Sequence, residues 1–297
     1  MGSADSESAL RACGLDTPYE VLLTSISTGL LQDQRLPAGA VVDAGAHLGN
    51  QACVYARYAP ARRVHAIEPL AANALHIESK YAARIPNLRV TNGGLGASPG
   101  WVALNRGTKV LKAGGMLSIE SMQVSTTETG TSKHGFRVYT LDELFLANET
   151  LALVHLDVEG MELAVLRGGN RTIARDRPIT STECHVLSDV NFTASLLDFF
   201  SARTYVSFLV DEVCGVRTDC RNLLHVPREH VSLFADSPLL NLAIASRALV
   251  RLPHRGGGAR AVAHVKESAT ATPTRTRQLH RCGRRCGYGE MLERWHV

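Results

Sequence analysis

The stretch "VVDAGAHLGN", Val41 to Asn50, decides the fold. Two β-branched residues run into Asp43, and Gly45 and Gly49 follow. A buried strand that must turn at once into a helix has this form. Glycines adopt backbone conformations closed to other residues and let a ligand approach the main chain. The helix that starts near Gly49 points free N–H groups at the same spot. Folds that hold a dinucleotide use this arrangement for a pyrophosphate and favour Gly-x-Gly-x-x-Gly. Here the turn begins with an acid instead.

Alternation continues outward from this turn. "NQACVYARYA" reads as a helix ended by Pro60, "RVHAIEP" as a second strand, "AANALHIESKYAARI" as a helix and "LRVTNGG" as a third strand. Farther on, "LALVHLDVEG", "PITSTECHV", "TYVSFLVDE" and "NLLHVP" read as strands, with "MELAVLRGG" and "NFTASLLDFFSA" as helices. Short apolar runs alternating with helical patterns are what a parallel sheet with crossover helices requires. The Gly/Ser/Thr-rich stretch from Trp101 to Lys133 reads as a hairpin plus a flexible surface loop of the kind that often covers a site. The segments divide into an N-terminal helical extension (1–38, with "YEVLLTSISTGLLQ" as an amphipathic helix), a catalytic-type domain (39–250) and a basic tail (251–297).

Composition bounds the rest. Hydrophobic content of 45% with 20% charged residues is ordinary for a globular chain. The net charge of +4 is carried by the tail, which has ten Lys/Arg against three Asp/Glu from Arg251 onward, so the globular part is not basic and no nucleic-acid partner is expected. The tail is poor in large apolar residues and is expected to be disordered. No apolar run reaches the ~18 residues of a membrane span, and "MGSADSES" lacks a secretory core, which points to the cytoplasm. The same stretch matches the N-myristoylation pattern at Gly2, for which a chance match is the stronger reading. The seven scattered cysteines then read as mostly reduced thiols, although Cys214 and Cys220 flank a short loop and are near enough to bridge. The sequons at Asn148, Asn170 and Asn191 carry little weight without an export signal, and His280, Cys282 and Cys286 do not have a standard zinc spacing.

Asp43 chooses among ligands. An acid repels a phosphate but suits an amino group, and S-adenosylmethionine carries an ammonium and a sulfonium and no phosphate. Glu68, at the end of the second strand, can accept hydrogen bonds from ribose hydroxyls, a role that serves NAD and S-adenosylmethionine alike. Asn92 and Gly93 stand where an adenine edge would lie, and a plain turn explains them nearly as well.

"HLDVEGMELAVLRGG", His155 to Gly169, is more specific: a strand ends in Asp157, a turn carries Glu159 and Gly160, and Glu162 opens a helix. With "VYTLDELF" ahead of it, "RPITSTECH" after it, and "VVDAGAHLGN" and "AIEP" earlier, the chain resembles the FkbM family of S-adenosylmethionine-dependent methyltransferases over roughly residues 40–226. The resemblance implies an α/β, class I methyltransferase (Rossmann-like) fold: a seven-stranded, mostly parallel sheet with helices on both faces. It implies O-methylation of a hydroxyl on a small molecule, sugar or glycan. By position, Asp43, Gly45, Gly49 and Glu68 correspond to the family's cofactor residues, and Asp157, Glu159 and Glu183 to its characteristic acids. His47 departs from the small polar residue common there.

Asp157 and Glu183 both end strands, on the side of an open α/β sheet where ligands bind. Either suits a base for the attacking hydroxyl, and His185, two residues on, is a third candidate. The same acids could hold a divalent cation such as Mg2+; the residues leave base and metal open. Glu162, in the first turn of its helix, reads as structural. Two other functions remain in view. One is an NAD(P)-dependent oxidoreductase, which would lack its third glycine and a Tyr-x-x-x-Lys pair. The other is a binding module that retains S-adenosylmethionine without turnover.

Overall fold

The computed structural model describes residues 12–14, 21–104, 122–125, 135–212, 214, 219–235, 243–244 and 249–252. The loop expectation at 105–121 and 126–134, most of the basic tail, Gly2 and the His280–Cys286 group lie outside the described residues. Helix α1 (Val21–Gln32) leads into β1 (Ala40–Ala44), α2 (Asn50–Tyr58) and β2 (Val64–Glu68). Helix α3 (Ala71–Ile77) continues as a five-residue π-type stretch, Glu78–Ala82, before β3 (Leu88–Asn92). Four strands follow, β4 (Gly94–Leu95), β5 (Gly100–Leu104), β6 (Met122–Ser125) and β7 (Gly135–Tyr139). Then come α4 (Leu141–Phe145), β8 (Leu151–Leu156), α5 (Glu162–Gly168), α6 (Asn170–Asp176), β9 (Ile179–His185) and α7 (Val190–Ser201). The remaining elements are β10 (Tyr205–Val210), β11 (Cys220–Pro227), α8 (Ser232–Ala235) and β12 (Leu249–Arg251).

The main sheet has eight strands in the order β12-β10-β11-β9-β8-β1-β2-β3. It departs from the seven expected, because Leu249–Arg251 pairs antiparallel with Phe208–Val210 and adds an edge strand. The pairs from β3 to β9 are parallel, whereas β11 runs antiparallel to both β9 and β10. A second sheet, β4-β7-β5-β6, takes in the stretch expected to be a hairpin.

Strand alternation divides the core. Val41, Val64, Leu153 and Ile179 pack with Leu23, Ile26 and Leu30 of α1 and Cys53 and Val54 of α2. Val42, Ala44, Val154 and Leu156 face the other way, onto Leu141, Val165, Leu166, Ile173, Leu196 and Phe200 of α4 to α7. All five residues of β1 are buried, as expected for a strand covered on both faces. Helix α1 shares this core, and its N-terminus is closed by a distant acid: the amides of Leu22 and Leu23 donate to the Glu212 carboxylate at 2.9–3.2 Å.

Two disulfides overturn the reduced-thiol expectation. Cys13 is bonded to Cys53 and Cys214 to Cys220, leaving buried Cys184 free among the described cysteines. The first bond joins residues 40 apart in sequence, brought together where the N-terminal turn folds onto α2. There Tyr81 Oη donates to the Cys13 carbonyl and Asn50 Nδ2 to that of Gly14. No described helix is long and apolar enough to cross a membrane.

The turn after β1 depends on one missing side chain. Gly45 has φ +82°, and a Cβ there would lie 1.7 Å from the Asp157 carbonyl oxygen. Gly45→Ala is therefore expected to lose more than about 3 kcal/mol of stability, or to fail to fold. Urea unfolding measures this; a variant as stable as the parent would mean that the two strand ends do not pack in this way.

Candidate functional site

The expected residues converge on one edge of the sheet, because β2, β1, β8 and β9 are parallel neighbours and end together. The β1 pairings bring Asp43 beside Ala66 of β2 and His155 of β8. Leu156 pairs with Thr182, so the next residues, Asp157 and Glu183, continue from the same level of adjacent strands.

Asp43 is 1% exposed and Glu68 4% exposed. Burial raises the Glu68 carboxyl to about 7, against the amides that favour its ionised form, and the charge of Asp43 adds to the rise. Those amides make Glu68 the link between two turns. Oε2 accepts from the His47 N–H at 2.8 Å, and Oε1 accepts from the Leu70 N–H at 2.9 Å and Asn73 Nδ2 at 3.3 Å. With one donor on Oε2, the carboxylate retains acceptor capacity for a further group. Asn73, fully buried, is a partner that the sequence reading lacks. Its only signal is an amide in the first turn of α3, five residues past Glu68.

The turn itself suits a ligand rather than a packed loop. Gly49 precedes α2 at φ 78° and, as a glycine, gives the first turn of this helix no N-cap side chain. His47 adopts φ 50°, and its Nε2 is buried without a hydrogen-bond partner among the described residues. A buried acid, uncapped helix amides and an imidazole nitrogen together fit a ligand carrying both positive charge and hydrogen-bonding groups. Asn92, expected near an adenine edge, also ties backbone. Its Nδ2 donates to the carbonyls of Glu68 and Pro69 at 3.0 and 3.1 Å, stapling the β3 end to the β2 turn.

On the other side, Glu162 clamps the Asp157 turn. Its Oε1 accepts from the amides of Val158 and Gly160 at 3.1 and 3.3 Å, across a backbone that reaches positive φ at Glu159 and Gly160. Burial raises Glu162 to about 7, and the nearby charge of Glu183 adds to it. Glu162 is thus structural, as its position in the first helical turn implies. Asp157 and Glu183 are both partly buried. His185 Nδ1 lies 3.9 Å from Asp219 Oδ1, and Glu183 Oε1 lies 2.7 Å from Cys220 Sγ. Neither Asp219 nor Cys220 stood out in the sequence as a site residue. Their nearness follows from an antiparallel register, which pairs His185 with Cys220 and Glu183 with Asn222.

Comparison with known proteins gives the following. The model of the methyltransferase FkbM domain matches residues 43–207, more than half of the chain and a span containing all the expected site residues. No curated protein matches the sequence. Among solved structures, methyltransferase FkbM from Methylobacillus flagellatus KT is similar at 16% identity and TM-score 0.45, with 63% of this chain and 43% of that one covered. A precorrin-6y C5,15-methyltransferase from Geobacter metallireducens GS-15 is similar at 9% identity and TM-score 0.38, covering 68% and 86%. The chain thus spans less than half the length of the FkbM structure it matches.

The raised Glu68 carboxyl has a consequence for stability. Its folded value of about 7 lies above the ordinary 4.5, so the folded state holds the proton more tightly than the unfolded state. Stability is then lost as pH rises from about 4.5 to about 7. Glu68→Gln, which cannot ionise, is expected to remove on the order of 2 kcal/mol of the fall between pH 5 and pH 8. Urea unfolding of ligand-free protein at both values tests this, and identical pH dependence in parent and variant would refute it.

Proposed function

The chain belongs to the methyltransferase FkbM family, and from that membership we propose that it is an S-adenosylmethionine-dependent methyltransferase acting on a hydroxyl of a small molecule, sugar or glycan. The observation that carries the reading is the matched span, which runs from Asp43 into the start of β10 and includes both strand-end turns. The sheet supports it. The strand order β3 to β10, with β11 antiparallel between β9 and β10, is compatible with a class I methyltransferase plan carrying β12 as an extra edge strand.

Asp43, the Gly45–Gly49 turn and Glu68 would hold the cofactor. The buried Asp43 charge suits a cationic ligand, the uncapped amides of α2 suit its polar groups, and Glu68 suits hydroxyl donors. When bound, S-adenosylmethionine supplies a methyl group already activated on a sulfonium. The protein's remaining work is to align the acceptor oxygen and to exclude water. An alcohol attacks best as it loses its proton, and Asp157 is assigned that proton. The proton passes from the hydroxyl to an Asp157 carboxylate oxygen and then to solvent. Glu162 holds the turn on which Asp157 stands, so the base is positioned by a neighbour that takes no part in the transfer.

Two measurements test this reading. Calorimetry is expected to show binding of S-adenosylmethionine and none of NADH; the reverse would favour an oxidoreductase. Asp157→Asn is expected to keep S-adenosylmethionine binding and to lower transfer of a radiolabelled methyl to hydroxyl acceptors by on the order of 10²-fold. Parental turnover in a folded Asp157→Asn protein would remove Asp157 as base.

A further inference from the structure

We propose that Glu183, His185 and Cys220 form a Zn2+ site that exists only while the Cys214–Cys220 disulfide is open. The three donor atoms lie within 4.8 Å of one another. Strand geometry brings them together. Glu183 and His185 are two residues apart on β9 and share a face, and Cys220 pairs directly with His185 across the antiparallel ladder, which puts it on that face too. Asp219 stands 3.9 Å from His185 Nδ1, where a carboxylate can orient a ligating imidazole. A thiolate, an imidazole and a carboxylate are a borderline-soft set suited to Zn2+ rather than to Mg2+, which prefers oxygen.

The contact between Glu183 and Cys220 separates two states. Cys220 Sγ is bonded to Cys214, yet it lies 2.7 Å from Glu183 Oε1. A disulfide sulfur has no proton to donate, and an ionised carboxylate has none either. Only the sulfur freed from the disulfide can share a proton or a cation with this carboxylate. In the disulfide, Cys220 cannot serve as a thiolate ligand. A phosphine opens the bond: the S–S bond breaks, each sulfur takes up a proton, and the phosphine leaves as its oxide with oxygen from one water. Zn2+ then displaces the Cys220 proton to solvent and is held by three protein donors, with one position open. Placing an acceptor hydroxyl at that open position would rest on the methyltransferase reading; metal binding itself does not.

Co2+ serves as the probe, because its thiolate complexes absorb in the near ultraviolet, and the titration uses neither cofactor nor acceptor. Cys214→Ser leaves Cys220 unable to bridge and Cys13–Cys53 intact. It is expected to bind Co2+ with a thiolate band and without reductant, whereas oxidised parent protein gives no band. Parent protein treated with phosphine should gain the same band, and this arm carries the test if Cys214→Ser does not fold. Adding His185→Gln should weaken binding by about tenfold or more, and adding Cys220→Ser should abolish the band. A folded Cys214→Ser protein without the band, or a band that survives Cys220→Ser, would overturn the site. Loss of methyl transfer with the band intact would instead count against the functional reading.

Discussion

The site depends on the absence of a side chain at Gly45. The Asp157 carbonyl occupies the space where a Cβ would project, so the turns that follow β1 and β8 lie in contact. Everything else at this edge of the sheet follows from that approach. The amides of Gly45 and Ala46 donate to the Ile67 carbonyl, and the Asp157 amide donates to the Ala44 carbonyl, so three strand ends are tied at one level. Glu68 extends the tie through His47 and Leu70, and Glu162 completes it beneath Val158 and Gly160. Buried backbone groups must find partners, and here two carboxylates supply them where a loop would otherwise need water.

Those carboxylates carry an electrostatic cost. Glu68 lies near Asp43, and Glu162 near Glu183, so each clamp is buried beside another acid. Like charges and desolvation both favour the protonated form, and the amides offset only part of this. A cation held between such pairs relieves the repulsion. On the proposed reading, a cationic ligand at this end of the sheet would offset that repulsion. This accounts in physical terms for an acid opening the turn where a phosphate-binding fold would have glycine.

Most of the main sheet was legible because its strands are short and apolar and its helices have a clear period. The turn at Asp43–Gly49 and the acids at Asp157 and Glu183 could be read because each lies at or near the carboxyl end of such a strand. What could not be read depends on pairing between distant segments. Gly94–Leu95 and Met122–Ser125 are too short to stand out, yet they complete a second sheet. Leu249–Arg251 becomes a strand only because β10 offers a free edge along Phe208–Val210, on the side away from β11. Cys13 and Cys53 share no local pattern, and Glu212 caps a helix whose first amides lie 190 residues away in sequence. Asn92 reads as a ligand contact because it ends a strand on the ligand side, and nothing local in the sequence shows that its amide also reaches two carbonyls of the β2 turn.

The same distinction applies to Cys220. In sequence it flanks a short loop with Cys214, near enough to bridge, in a chain whose cysteines otherwise read as reduced thiols. Its second relationship, to Glu183 and His185, exists only through the reversal of β11 against β9. If β11 ran parallel to β9, Cys220 would begin its strand at the opposite end of the sheet, far from the residues that end β9. The antiparallel strand is therefore what carries a redox-sensitive sulfur to the carboxyl ends of the parallel strands. An eight-stranded sheet with this reversal next to β9 can couple a thiol to the site at that edge through neighbouring strand positions alone, with no movement of the scaffold.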